Sequence, residues 1–169
     1  MEYKKRMMAN DVFLPQVVAL LAEGHTVTLP LRGRSMRPFL EDGRDKALLE
    51  TVKETPRVGD AVLAEIWPGH FVLHRIVDIC NGTVTLRGDG NIGTETCRLT
   101  DIRARATAFY RKGRSTPDSV YGRKWRLYSW LWTRLLPVRR HLLFALHPHV
   151  PSFLKRRGKG VKGTGSNND

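Results

Sequence analysis

Residues 71–87 read FVLHRIVDICNGTVTLR, and this stretch decides the fold. Two runs rich in β-branched and apolar residues flank the pair Asn81-Gly82, which is the strongest short-range signal for a two-residue hairpin turn. The pattern predicts a long strand over residues 71–79 that returns as a second strand over residues 83–87. The polar sequence Gly-Asp-Gly-Asn then follows at residues 88–91 and predicts a turn.

Short strand-like runs, separated by turn residues, extend along the chain on both sides of this hairpin. Four more strands are predicted, over residues 26–31, 46–51, 61–66 and 102–110. Turn signals about every 8–12 residues are typical of a small antiparallel barrel or a folded antiparallel sheet. We therefore predict a mainly β (β+α) fold of this kind, with an N-terminal helix and a helical, basic C-terminal extension.

The N-terminal helix is predicted over residues 10–23, within a segment 1–25 that we expect to pack on the sheet. Phe13, Val17 and Leu21 recur on one face of this helix, and Gly24 can end it in the left-handed conformation. The β domain is predicted to span residues 26–114. The composition shifts after residue 114, and we place the domain boundary there.

The C-terminal part of the chain divides into a helical segment over residues 115–154 and a tail over residues 155–169. The tail is basic and then rich in Gly, Ser and Asn, which is typical of disorder. The helical segment combines Trp, Leu and Tyr with arginines and leaves three interpretations open. It can bind an anionic membrane surface through residues 123–157, dock on a partner or on its own domain, or, least favoured, bind nucleic acid.

Charge is distributed unevenly along the 169 residues. The formal net charge is +13, and residues 119–169 carry 11 Lys and Arg but only one acid, Asp169. This asymmetry predicts an anionic partner for the C-terminal segment. Neither an N-terminal secretory signal nor an uncharged apolar run of 18 residues is visible, so we expect a cytoplasmic protein, peripheral on the inner face of the membrane if anchored at all.

The two cysteines, Cys80 and Cys97, match no metal-ligand spacing. In a cytoplasmic protein they are expected to be reduced and structural. The sequence therefore predicts neither a metal site nor a cofactor.

Residues 31–43, LRGRSMRPFLEDG, follow the first predicted strand and enclose a single serine, Ser35. Gly33 lets the backbone turn sharply and Pro38 fixes its own φ, so we expect a rigid loop that holds the hydroxyl at a set angle. Most serines in such loops only hydrogen-bond nearby backbone groups. A catalytic serine needs in addition a base, and a group that orients the base.

His74 and Asp89 can supply these two roles. His74 lies in the long strand and Asp89 follows the strand that pairs with it, so the hairpin can bring them together. The alternatives to a catalytic role are a histidine that is simply part of the core and a turn aspartate that hydrogen-bonds its own backbone. Asp60 and Arg75 are expected to stabilise turns or to pair with each other.

Four sequence blocks occur in a fixed order. They are Gly33-x-Ser35-Met36-x-Pro38-x-Leu40-x-x-Gly43, Gly59-Asp60, His74-Arg75-Ile76 and Gly88-Asp89-x-Asn91. Together they resemble the type I signal peptidase superfamily, which includes the LexA-type self-cleaving repressors, over about residues 26–110. The resemblance implies a serine endopeptidase with Ser35 as nucleophile, whose backbone amide would help to stabilise the oxyanion.

A histidine in the third block resembles the endoplasmic-reticulum and archaeal signal peptidases, whereas most bacterial leader peptidases and the repressors have a lysine there. The resemblance thus implies His74 as general base, with Asp89 or Glu95 orienting it. A histidine already titrates near neutral pH, whereas a lysine base must be desolvated. The implied substrate is an extended peptide or leader with small residues before the scissile bond.

The first block departs from the family pattern at its end, where Arg44 separates Gly43 from Asp45. This insertion predicts a one-residue bulge or a lost contact.

Two functions of other classes remain open. The first is a catalytically inactive peptide-binding module of a membrane or peptide-modification complex, and the second is a basic nucleic-acid-binding regulator. A serine-reactive reagent separates the first from the peptidase, because an unactivated Ser35 should not react. The salt dependence of nucleic-acid affinity tests the second.

Overall fold

A computed structural model describes residues 10–114 and 116–135 of the chain. This part forms helix α1 (Asn10–Ala22), eight strands, a short 3-10 helix (Leu99–Asp101) and helix α2 (Arg123–Arg134). The strands, in chain order, are β1 (Val27–Pro30), β2 (Lys46–Glu50), β3 (Ala61–Trp67), β4 (His70–Cys80), β5 (Thr83–Arg87), β6 (Glu95–Arg98), β7 (Ile102–Tyr110) and β8 (Asp118–Ser119).

All strand pairs are antiparallel, and the sheet has the order β1-β2-β7-β3-β4-β5-β6, with β8 paired to β7. The mainly β prediction, with a helix at each end, is confirmed. Of the two predicted forms, the barrel is not observed. Within the described residues β1 pairs only with β2 and β6 only with β5, so the sheet stays open.

The six strands predicted from the sequence begin and end within one residue of their predicted limits. The central hairpin forms as predicted, because Cys80 pairs with Thr83 across a two-residue turn. Both turn residues have positive φ, 48° at Asn81 and 78° at Gly82, as a type I′ turn requires. Two strands were not predicted: β8, which has only two residues, and β6, whose sequence Glu-Thr-Cys-Arg contains one buried residue, Cys97.

Alternation along β4 directs neighbouring residues to opposite faces of the sheet. Ile76 belongs to one buried cluster, with Val62, Val84 and Leu86, and His74 is two residues before it on the same face. Arg75 is directed to the opposite face, where Leu63, Phe109 and Trp125 belong to the second, larger cluster. His74 and Arg75 are adjacent in the sequence, but their side chains therefore lie on opposite faces of the sheet.

The helices cover one of these clusters. Val17 and Leu21 of α1 and Trp125 of α2 are buried within the larger cluster. Strand pairing continues past residue 114, since β8 adds to β7 immediately before α2. The rest of the predicted helical segment, residues 136–154, and the predicted tail, residues 155–169, lie outside the described residues.

Neither described helix has the length and apolar character needed to cross a membrane.

Candidate active site

The loop that carries Ser35 is closed at its base by backbone hydrogen bonds. The Leu31 amide donates to the Asp45 carbonyl, and the Gly43 amide donates to the Leu31 carbonyl, each at 2.9 Å. The loop residues Met36, Phe39 and Leu40 are buried in the core, and Ser35 itself is half-buried. Apolar anchoring and backbone closure together tie the loop to the core; that the loop is rigid stays a prediction.

Asp45 is a buried anchor of the same loop, with 1% of its surface exposed. Its carboxylate accepts hydrogen bonds from the Glu41 amide at 2.9 Å, the Arg44 guanidinium at 2.7 Å and the Lys112 amide at 3.2 Å. Burial disfavours the charge, but these donors hold the pKa of Asp45 below its ordinary value. Arg44, which separates Gly43 from Asp45 in the sequence, is therefore itself a partner of the aspartate.

The turn at residues 88–91 packs directly against the serine. The Gly90 amide donates to the Ser35 carbonyl at 2.6 Å. A Cβ atom built on Gly88 would lie 2.4 Å from the Ser35 carbonyl oxygen and 2.9 Å from Ser35 Cβ, and one on Gly90 would lie 2.4 Å from the Arg34 carbonyl oxygen. Because contacts this short are not possible, only glycine allows the two loops to approach so closely.

His74 pairs with Glu95, the second of the two acids suggested by the family resemblance. His74 Nδ1 lies 2.7 Å from Glu95 Oε2, and only 4% of the His74 surface is exposed. Register explains the pairing, because Ile76 is opposite Leu86 and Leu86 is opposite Glu95, so Glu95 shares a face with His74. With Glu95 ionised, the proton of the neutral imidazole resides on Nδ1, and Nε2 is left able to accept one.

The pKa of His74 is lowered from its ordinary value. Burial is the largest cause, and it outweighs the opposing charge and hydrogen bond of Glu95. The imidazole is therefore neutral at pH 7, which is the state that a general base needs.

Asp89, the other candidate acid, is engaged on the opposite face of the sheet. It forms a bidentate ion pair with Arg75, with nitrogen–oxygen distances of 2.9 and 2.7 Å, and each residue is only 1% exposed. Burial opposes the charge of Arg75, but the hydrogen bond and the charge of Asp89 raise the pKa of Arg75 above its ordinary value. Of the two roles expected for Asp60 and Arg75, pairing with each other is not observed, because Asp60 lies 3.7 Å from Arg105. The other role, stabilising a turn, is observed for Asp60, whose carboxylate accepts a hydrogen bond from the Arg57 amide at 2.9 Å.

Helix α2 completes the support of this buried pair. Tyr128 donates its hydroxyl to Asp89 Oδ2 at 2.9 Å, and Trp132 Nε1 donates to the Asp89 carbonyl at 3.0 Å. Ser129 accepts from Arg75 Nη1 at 2.6 Å, and the Arg75 guanidinium lies 4.6 Å from the centre of the Trp125 ring. The contacts of α2 therefore hold Asp89, and the amide of the next residue, Gly90, donates to the Ser35 carbonyl.

These four α2 residues were not predicted as part of the site. The sequence shows that Trp125, Tyr128, Ser129 and Trp132 recur at helical spacing, but the spacing does not reveal what they contact. A buried arginine and aspartate both need hydrogen-bond partners, and this need is the signal that could have pointed to the polar atoms of a following aromatic helix.

Ser35 and His74 line the same cleft, which has a volume of about 760 Å³. Its walls are mostly apolar and include Leu29, Leu31, Met36, Leu63, Phe71 and Leu73. Two strand edges meet it: β1 pairs with β2 on one side only, and residues 70–74 of β4 pair with β3 but not with β5, whose register begins at Arg75. Within the described residues, both edges are open for a further strand.

In the part of the chain described here, no hydrogen bond joins the Ser35 hydroxyl to His74, and the Ser35 amide donates to no protein acceptor. Catalytic hydrogen bonds are often long in the absence of substrate. A backbone amide without an acceptor, next to a hydroxyl, is the kind of donor that an oxyanion needs. The structure thus places a serine and a neutral histidine in one apolar cleft, with the Glu95 carboxylate bonded to the histidine.

Comparison with known proteins adds no family to this geometry: no protein-family model matches the chain, and no curated protein matches its sequence.

Proposed function

We propose that the chain is a serine endopeptidase of the Ser–His type, with Ser35 as nucleophile, His74 as general base and Glu95 as the residue that orients the base. The observation that carries the proposal is the 2.7 Å contact between His74 and Glu95 at a buried position in the cleft that Ser35 also lines. A buried histidine held by a carboxylate on one nitrogen, in the same cleft as a serine, is the set of groups that activates a hydroxyl.

The proposed reaction has two stages. Ser35 Oγ attacks the peptide carbonyl carbon while its proton passes to His74 Nε2, and the carbonyl oxygen becomes an oxyanion facing the Ser35 amide. The C–N bond then breaks, the leaving amine takes the proton from His74, and an acyl-enzyme remains. Water, deprotonated by His74, attacks the ester, and collapse of the second oxyanion returns the proton to Ser35 and releases a carboxylic acid.

The substrate class follows from the open strand edges that border the cleft. An extended peptide can add as a strand to β1 or to residues 70–74 of β4, which gives main-chain hydrogen bonds without regard to sequence. Apolar walls would then accommodate alternate side chains of the peptide. Together with the family resemblance, this supports an extended peptide or leader with small residues before the scissile bond.

The direct test is labelling with a fluorophosphonate, which reacts with activated serines. We expect the full chain to be labelled at Ser35 and the Ser35→Ala variant to show no labelling above background, because the nucleophile is gone. Ser119→Ala is a useful control, since Ser119 is an exposed serine of β8 that accepts a hydrogen bond from the Tyr121 amide and does not line the cleft. If the parent chain binds extended peptides but is not labelled, the inactive peptide-binding module is correct and the peptidase is not.

Glu95→Gln is expected to slow fluorophosphonate labelling by roughly a hundred-fold or more, because the amide can no longer hold the imidazole tautomer or stabilise the imidazolium. Both the charge and the hydrogen bond of Glu95 raise the pKa of His74, so their removal lowers it further. The acid limb of the pH–rate profile should therefore move to lower pH in the variant. The labelling rate between pH 4 and 8 measures both effects, and an unmoved limb would exclude Glu95 as the orienting acid.

A further inference from the structure

Helix α2 presents apolar residues on two opposite sides, and its inward side is fixed. Trp125 and Trp132 are buried, and Tyr128 and Trp132 donate hydrogen bonds to Asp89. The helix cannot roll to bury its other side without breaking these contacts, which would leave a buried carboxylate with fewer donors.

The outward side carries three large apolar residues at neighbouring helical positions. Leu127, Trp130 and Leu131 are 65%, 53% and 47% exposed, and the spacings of three and four residues place them together. A contiguous exposed apolar patch of this kind marks an interaction site more often than a chance surface.

Basic residues surround this patch. Helix α2 carries Arg123, Lys124, Arg126 and Arg134 and no acidic residue. Arg134 lies 4.9 Å from the centre of the exposed Trp130 ring, and within the described residues Arg123 and Arg126 form no salt bridge. A tryptophan and leucines bordered by arginines are the composition of a helix that lies at a membrane interface, with the aromatic ring at headgroup level.

The basic surface continues beyond the helix. Lys124 contacts Asp118 at 3.4 Å, and Asp118 also pairs with Arg111 and Arg114. These two arginines border a pocket of about 370 Å³ together with Arg44, Lys46 and Lys112. The five positive charges around this pocket outnumber the two negative charges of Asp45 and Asp118, which pair with some of them. The pocket therefore attracts anions such as phosphate esters.

We propose that the outward side of α2, together with this adjoining basic pocket, docks on an anionic lipid surface. Three apolar side chains enter the headgroup region and the surrounding cations contact lipid phosphates. Nucleic acid would use the cations but leave Leu127 and Leu131 exposed. The surface does not include Ser35, His74 or Glu95, so docking is independent of the proposed peptidase activity.

Sedimentation of the full chain with vesicles tests this surface. We expect binding to phosphatidylcholine vesicles with about 30 mol% phosphatidylglycerol, weaker binding to pure phosphatidylcholine and weaker binding at high salt. The triple variant Leu127→Ser, Trp130→Ser, Leu131→Ser should partition roughly ten-fold or more weakly, while retaining fluorophosphonate labelling equal to the parent. Leu20→Ser with Val58→Ser is the matched control, since both are exposed apolar residues outside α2.

Quenching by lipids with brominated acyl chains shows which part of the chain enters the bilayer. In a Trp67→Phe background the remaining tryptophans are buried Trp125 and Trp132 and exposed Trp130. We expect the vesicles to quench a component that disappears in the further variant Trp130→Phe. Three results would each overturn the proposal: binding without such quenching, equal binding of the triple variant and the parent, and no binding of the parent to vesicles. The last of these would leave α2 as a surface for a protein partner.

Discussion

His74→Ala is expected to lower the rate of fluorophosphonate labelling and of peptide cleavage by roughly 10⁴-fold or more, because Ser35 then has no base to accept its proton. The imidazole is neutral at pH 7, since burial lowers its pKa, and Glu95 contacts only one of its nitrogens. Among residues 10–114 and 116–135, the two other histidines do not contact Glu95: His25 pairs with Glu23, and His70 stacks on Trp67. Labelling by fluorophosphonate and cleavage of a degenerate peptide library, followed by mass spectrometry, measure the loss.

His70→Ala is the matched control for this variant. His70 lies in the same strand and borders the same cleft, but its ring stacks on Trp67 at a centroid distance of 3.8 Å. We expect its labelling rate to stay within a few-fold of the parent. Thermal unfolding should show that both variants remain folded. A His74→Ala chain that is folded and labelled at the parental rate would rule out the Ser–His mechanism.

The sequence contains enough information to predict the hairpin that holds His74, but not the identity of the acid that pairs with it. Asp89 and Glu95 both follow β5, and proximity along the chain does not separate them. The period of two in β4 separates them: Glu95 reaches the face of His74 through the register of β6, whereas Asp89 reaches Arg75 on the other face. That register depends on β6, a four-residue strand with little apolar content and no pattern by which to predict it.

The contacts of α2 show a second limit of sequence patterns. The predicted helical segment covers residues 115–154, and within its described part the structure has strand β8 at Asp118–Ser119 and then the helix Arg123–Arg134. Helical periodicity does not show that Trp132 reaches the Asp89 carbonyl, because the two residues are 43 positions apart and joined only by tertiary packing. The loop around Ser35 is predictable for the opposite reason, since Gly33, Pro38 and the buried Phe39 act locally.

The contact between the Ser35 loop and the glycine turn predicts that Gly88→Ala inactivates the proposed enzyme without removing any catalytic group. A Cβ at this position would lie 2.4 Å from the Ser35 carbonyl oxygen and 2.9 Å from Ser35 Cβ. One of the two loops must move, and a displacement of about 1 Å at the nucleophile can lower the rate roughly a hundred-fold. Overpacking should also reduce the free energy of unfolding by about 1–3 kcal/mol.

Gly93→Ala separates this steric effect from a general cost of replacing glycine in the segment. Gly93 follows in the same loop, yet a Cβ there would have no atom within 4 Å, so we expect labelling close to that of the parent. Labelling rates, measured well below the melting temperature of each variant, report the position of Ser35 rather than the folded fraction. If Gly88→Ala is labelled as fast as Gly93→Ala, Ser35 does not depend on the glycine turn for its position. The structural argument that links residues 88–91 to the nucleophile would then be wrong, even if His74 and Glu95 act as proposed.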